Sequence, residues 1–298
     1  MSNERNNEAM TDNPLTPYLK RSGEDDSGRP VVLLADIDGT LVDHTMALSE
    51  GDLSAIEEFM ARGHYFSLAT GRGRTNAELH MSNVPSNFPA VFSNGSLLYD
   101  RGEKKVILQH EMATEELSEL FRIMQHFYPE IMIQIYTADE IFLITDNPAD
   151  DYRVANHEPY QRVAFSTIRG MRCNKVLFGM QPNNCDAGKL LAEDHVTSHL
   201  PEMRVVKSQT MYLELTPAGI SKGAMVEYIR DHTDALIAVA GDYYNDIEMM
   251  ENADLSYTLS TSPPEVQAAA DVIFESRPGK FISEVVEDLL KRRAGQGS

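Results

Sequence analysis

The feature that most limits what this chain can fold into is the run Val31-Val-Leu-Leu-Ala35, followed at once by Asp36-Ile-Asp38-Gly39-Thr40-Leu41. Five apolar residues bounded by turn residues read as a strand buried on both faces, as in a parallel sheet. Ligands of such sheets sit outside the carboxyl ends of the strands. Asp36 and Asp38 are therefore presented where chemistry happens. Side chains two apart on a strand share a face, and Gly39 lets the chain curl so that both carboxylates approach one site. Two neighbouring anions raise each other's proton affinity unless a cation lies between them. A hard divalent ion such as magnesium suits oxygen ligands. A strand followed by an ordinary turn would show the same Asp and Gly. An EF-hand loop does not fit: Leu41 stands where that loop needs its glycine, and Ala47 where it needs its closing acid.

A second strand ends the same way. Leu236-Ile-Ala-Val-Ala240 runs into Gly241-Asp242-Tyr243-Tyr244-Asn245-Asp246. Alone, this is also what a helix cap followed by a solvated first-turn acid looks like. Two acidic strand ends together are harder to dismiss. Between them, Ser49 is placed to cap a helix whose Leu53, Ile56, Phe59 and Met60 share a face, with Gly63 just past its end. The strand Tyr65–Ala69 then ends in Thr70-Gly71-Arg72-Gly73-Arg74. A strand–helix–strand unit makes a right-handed parallel crossover, which sets Thr70 beside Asp36. A hydroxyl, a glycine backbone and guanidinium groups suit a phosphate; a plain strand-to-helix turn with Thr70 as cap is the alternative. Lys222 follows Ser221 in the first turn of another helix, where the dipole disfavours a cation unless it neutralises a bound anion.

Composition narrows the function classes. The chain has 298 residues, with Lys plus Arg 26 against Asp plus Glu 46, a formal charge of -20. That balance disfavours nucleic acid and anionic membrane, both of which need a basic surface. Cys173 and Cys185 make neither a disulfide framework nor a zinc spacing and read as thiols of a reducing compartment. No apolar run approaches the roughly 20 residues of a membrane span. The expected setting is cytoplasmic. Residues 1–29 are polar and expected to form a flexible leader. Residues 30–95 and 209–298 alternate strands and helices, the pattern of a doubly wound α/β core. Residues 96–208 carry strand pairs with two helices, an inserted α+β unit.

Four separated segments, Asp36-Ile-Asp38-Gly-Thr-Leu, Thr70-Gly-Arg72, Ser221-Lys222-Gly223 and Gly241-Asp242-Tyr-Tyr-Asn245-Asp246, resemble in order the four motifs of the haloacid dehalogenase superfamily. Phe92-Ser-Asn-Gly-Ser96 and the insert before the lysine motif look like its Cof-type subfamily of sugar-phosphate phosphatases. The resemblance covers residues 31 to about 290. It implies a Rossmann-like parallel core with a mobile cap of the C2 type, and magnesium-dependent hydrolysis of small phosphorylated metabolites through an aspartyl-phosphate. It makes Asp36 the nucleophile. Asp38 becomes the general acid and then base, with its backbone carbonyl on the metal. Thr70, Gly71, Arg72 and Lys222 hold the phosphoryl oxygens, with Asn245 nearby. Asp242 ligates the metal and Asp246 supports its shell. Family ATPases tend to carry Thr at the Asp38 position, so an ion pump is disfavoured. A sugar phosphomutase of the same fold is the nearest alternative, and a non-catalytic metabolite-binding protein the next. Relatives often read Gly-Val-Ala-Met-Gly-Asn-Ala where this chain has Leu255–Pro263, so a different loop is expected near the site. Tyr136, Asp139 and Arg172 on the cap rim are candidate leaving-group contacts by position alone, with ordinary cap surface the favoured reading.

Overall fold

A computed structural model describes residues 13–18, 29–145 and 159–295. The first half of the core runs β1 (Val31–Ala35), α1 (Glu50–Ala61), β2 (Tyr65–Leu68), α2 (Arg74–Met81) and β3 (Ala90–Phe92), then the hairpin β4 (Leu97–Asp100) and β5 (Lys105–Gln109). The insert comprises β6 (Met112–Ala113), α3 (Ser118–Phe127), β7 (Met132–Tyr136), β8 (Ile141–Leu143) and β9 (Gln161–Arg162). It continues with α4 (Phe165–Ile168), β10 (Arg172–Cys173), β11 (Lys175–Gly179), α5 (Pro182–His199), β12 (Met203–Gln209) and β13 (Tyr212–Pro217). The chain returns through α6 (Lys222–Asp231), β14 (Leu236–Ala240), α7 (Ile247–Asn252), β15 (Leu255–Leu259), α8 (Pro264–Ala269), β16 (Val272–Phe274) and α9 (Phe281–Gly295).

The core is a five-stranded parallel sheet in the order β16-β15-β14-β1-β2. β1 is an interior strand, paired with β14 on one side and β2 on the other, and all five of its residues are buried. Each such Val or Leu side chain contributes about 1.5–3 kcal/mol relative to exposure, which is why the most apolar run takes an interior position. Ser49 caps α1 by accepting from the N–H groups of Gly51 and Asp52. Gly63, at φ 85°, follows its end as the sequence predicts.

Strand pairing departs from the expected domain limits. The hairpin β4–β5 pairs with β3, not with the insert, and β3 meets the core sheet through a parallel bridge between Ala69 and Val91. At the other end, β13 pairs with β11 and β12 in the six-stranded sheet β12-β13-β11-β7-β8-β9. The limits 95/96 and 208/209 thus cut across both connections. The leader also departs from expectation over residues 13–18: Leu15 is fully buried against the core, and the Asn13 side-chain amide donates to His232 O at 2.6 Å. The rest of 1–28 lies outside the described residues. Leu255–Leu259, expected as a divergent loop, is the buried strand β15 between β14 and β16. No helix among the described residues is long and apolar enough to cross a membrane.

The six-stranded sheet obeys the period of two. Ile133, Ile135, Val176, Phe178, Leu213 and Leu215 join one hydrophobic cluster with residues of α3 and α5. Gln134, Tyr136, Lys175, Leu177 and Glu214 alternate with them and line the opposite side, over a cleft of about 740 Å³ against the core.

Candidate active site

Three strand ends and one helix start meet beneath that cleft. The Asp36 N–H donates to Ala240 O at 2.9 Å, extending the β1–β14 ladder by one residue and fixing the direction of the carboxylate. Gly39 has φ 81°, and a Cβ there would stand 2.1 Å from the Asp242 carboxylate. Only glycine permits both the left-handed turn and that approach. Thr40 Oγ1 donates to Asp242 Oδ1 at 2.8 Å. Thr70, from the end of β2, is buried, and its Oγ1 accepts from the Arg72 N–H at 3.1 Å.

Lys222 sits in the first turn of α6, with its side chain fully buried. Its Nζ donates to Asp36 Oδ1 and Asp246 Oδ1, each at 2.7 Å. Asp246 Oδ2 accepts from the Asp242 and Tyr243 N–H groups at 3.0 and 3.1 Å. Asp246 thereby ties the lysine to the acidic turn after β14. Burial works against the charge of Lys222, but Asp246 and Asp36 outweigh it, and its pKa is raised. Asp36 is held well above the ordinary carboxylate range by burial first, opposed by Lys222 and reinforced by the other acids. Asp242 is pushed up to about 6 by burial and then by the charge of Asp246.

One lysine faces three acids. The ligand oxygens of Asp36, Asp242 and Asp246 lie within 4.8 Å of one another. An all-oxygen set with surplus negative charge suits a hard divalent cation. Since both Asp246 oxygens are already engaged, Asp36 and Asp242 are the ones placed to face an ion.

The raised Asp242 has a consequence for stability. A carboxyl that binds its proton more tightly when folded makes the folded state gain stability as pH falls through its folded pKa. In chelator, Asp242→Asn is expected to exceed wild type at pH 7.5 by up to about 3 kcal/mol. The gap should close between pH 7 and pH 4, because wild type takes up the proton there and the variant does not. Urea midpoints across that range measure it; a gap independent of pH would contradict the assignment.

Several residues singled out in the sequence are placed differently. The Asp38 carboxylate lies outside the acid cluster and is half exposed. Arg72, expected on a phosphate, grips Asp38 with Nε–Oδ2 at 2.7 Å and Nη2–Oδ1 at 2.6 Å, and its Nη1 donates to Asn76. Gly71 offers its carbonyl to Lys175, and Asn245 donates to Asn94 Oδ1 at 3.1 Å. Of the three rim candidates only Tyr136 lines the cleft. Asp139 is paired with Arg74 and Arg172 lies beside Glu111. Lys175 and Glu214 were not singled out by the sequence, and Asn94 entered only within the Phe92–Ser96 segment, with no role given to it. The available signal was a lone charge in each of two apolar strands, Lys175-Val-Leu-Phe and Tyr212-Leu-Glu-Leu.

A family model described as haloacid dehalogenase-like hydrolase matches residues 33–282. The chain belongs to the haloacid dehalogenase-like hydrolases. This hydrolase is 27% identical over 262 residues to a provisionally named phosphatase of Buchnera aphidicola, covering 82% of this chain and 94% of that protein. It is 27% identical over 274 residues to the chloroplastic endoribonuclease YBEY of Arabidopsis thaliana, covering 85% of this chain but 45% of that longer protein. Among solved structures, TM0651 of Thermotoga maritima superposes with a TM-score of 0.73 at 25% identity, over 86% of this hydrolase and 96% of that chain. The expected fold class, a parallel α/β core with an inserted cap, is the one observed.

Proposed function

We propose that this hydrolase is a magnesium-dependent phosphatase of small phosphorylated metabolites, sugar phosphates foremost, working through an aspartyl-phosphate on Asp36. The observation that carries the reading is the buried Lys222 held between Asp36 and Asp246, beside Asp242, at the carboxyl edge of a parallel sheet. Phosphoryl transfer asks a protein chiefly for in-line positioning and charge stabilisation, and these residues supply both.

Asp36 attacks phosphorus; the P–O bond to the leaving group breaks, and the proton of Asp38 goes to the departing oxygen. Asp38, now a carboxylate, takes a proton from the water that opens the acyl-phosphate, and phosphate leaves. A carboxylate nucleophile thus splits one hard displacement into two easier ones. Lys222, Thr70 and the Gly71 turn hold the phosphoryl oxygens. Asp36 and Asp242 would hold magnesium with Asp246 behind them, and the ion supplies neutralisation of the phosphoryl charge. Arg72 aligns Asp38 in this scheme instead of binding phosphate. Cys173 and Cys185, free and buried, accord with a cytoplasmic setting.

The test is phosphate release from a panel of sugar phosphates, nucleotides and an aryl phosphate, in magnesium and in chelator. Release that needs magnesium is the expected result. An isomerised sugar phosphate in place of free phosphate would make the protein a phosphomutase. No turnover of any ester by folded, magnesium-loaded protein would overturn an enzymatic reading.

A further inference from the structure

The cap sheet carries two charges that the chemistry above does not use. Lys175 opens β11 and Glu214 lies in β13, with side chains 4% and 8% exposed. They face the cleft because the alternate residues of both strands are committed to the hydrophobic side. Their Nζ–Oε1 separation is 3.5 Å, longer than a direct hydrogen bond. Each uses its short bond on the core instead. Lys175 Nζ donates to Gly71 O at 2.8 Å, and Glu214 Oε2 accepts from Asn94 Nδ2 at 2.7 Å. Lys175 also lies over the Tyr136 ring at 4.5 Å.

What these two charges hold is one structure. Asn94 N–H donates to Thr70 O and Ser93 N–H to Arg72 O, so residues 70–72 and 93–94 lie clipped together. Asn94 Oδ1 accepts from Asn245 of the acidic turn. Ser93, Asn94 and Gly95 all have left-handed backbones, at φ 51°, 54° and 98°. Non-glycine residues persist there only when their surroundings over-determine them. Hydrogen bonds in which one partner is ionised are the stronger kind, and the cap supplies one to each half of the clip.

We infer that Lys175 and Glu214 are positioning residues: from the cap they fix the Thr70–Arg72 turn and Asn94, so that the phosphoryl-binding turn is shaped only with the cap seated. The role rests on the phosphatase reading for its kinetic consequence but not for its structural one, and the test separates the two. Amide hydrogen exchange of the full chain is compared for wild type and Lys175→Met, in peptides covering 69–74 and 92–96, with β1 as the control. Loss of a hydrogen bond to a charged group accelerates exchange about ten- to hundredfold. That acceleration is expected in both turn peptides, with β1 unchanged.

In the kinetic arm, kcat/KM for a hexose phosphate and for an aryl phosphate should fall by one common factor, about tenfold or more, chiefly in kcat. Unchanged exchange in the turn overturns the inference, as does equal acceleration in β1, which would mark general loosening. Losses that differ between the two esters by more than about threefold overturn it too, because Lys175 would then be touching the leaving group. Should Lys175→Met fail to fold, Glu214→Gln carries the same test. It keeps an acceptor for Asn94 and removes the charge, so acceleration confined to 92–96 is expected. If wild type turns over no ester, the phosphatase reading fails while the exchange result still decides this one.

Discussion

Asp36→Asn is expected to lower kcat by about 10⁴-fold or more while leaving the protein folded and at least as stable as wild type. The kinetic half follows from chemistry: an amide cannot form the acyl-phosphate, and removal of a covalent nucleophile costs losses of this order in other enzymes. The stability half follows from electrostatics. Asp36 is buried, its proton affinity is raised by that burial, and Asp246 and Asp242 crowd it with like charge. Asparagine keeps the shape and an oxygen that can accept from Lys222, and it removes one of three acids that a single lysine has to balance. A variant dead in turnover yet stable separates chemistry from folding in one experiment. Turnover within tenfold of wild type would remove Asp36 as nucleophile and with it the covalent mechanism. Loss of both activity and stability would mean that Asp36 is a structural acid.

The acidic strand ends were legible because a charge directly after a run of buried apolar residues is a discontinuity that packing alone does not produce. Asp36 and Asp242 came from such discontinuities, Lys222 from its unfavourable place in a helix first turn, and the structure brings the three together. Pairing partners were not legible. Strand pairs were expected within residues 96–208, and Leu97–Asp100 with Lys105–Gln109 is one, but an alternating pattern does not say which sheet a hairpin joins, and this one joins β3. β13 was displaced to the core for the same reason. Leu255–Leu259 was expected as a loop because it departs from the sequence relatives often carry there, and its polar Ser256 and Thr258 gave no sign of a buried strand. Both are buried with partners: Ser256 with Asp271, and Thr258 with Gly241 O and Ser262. Polar residues satisfied by long-range bonds carry no local mark. Arg72 shows the same limit. Its chemistry suits phosphate, and only the fold reveals that Asp38 occupies its fork. Leu15 is the opposite case, one apolar residue in a polar leader that the core nevertheless buries.

Lys222→Met carries the second large effect, and it concerns stability as much as turnover. In wild type the ammonium group bonds both Asp36 and Asp246, and neither the lysine nor Asp246 has side-chain exposure. Breaking a buried pair by removing one partner costs about 3–5 kcal/mol, because the surviving charge is left uncompensated. Methionine fills similar space, so the loss is electrostatic and not a cavity. The sign of its pH dependence follows. Without the lysine, Asp36 is raised still further above its unfolded value, so the variant recovers stability as pH falls and is worst at pH 7 and above. Urea unfolding in chelator at pH 7.5 and pH 5 reads this directly. The double variant with Asp36→Asn decides which acid depends on the lysine. If Asp36 and Lys222 are one unit, the asparagine restores part of the stability that methionine removed, with a coupling of about 2 kcal/mol or more. A coupling near zero would assign the lysine to Asp246 alone. Its contact with Asp36 would then be incidental to folding, kept in place for the reaction at the phosphoryl group.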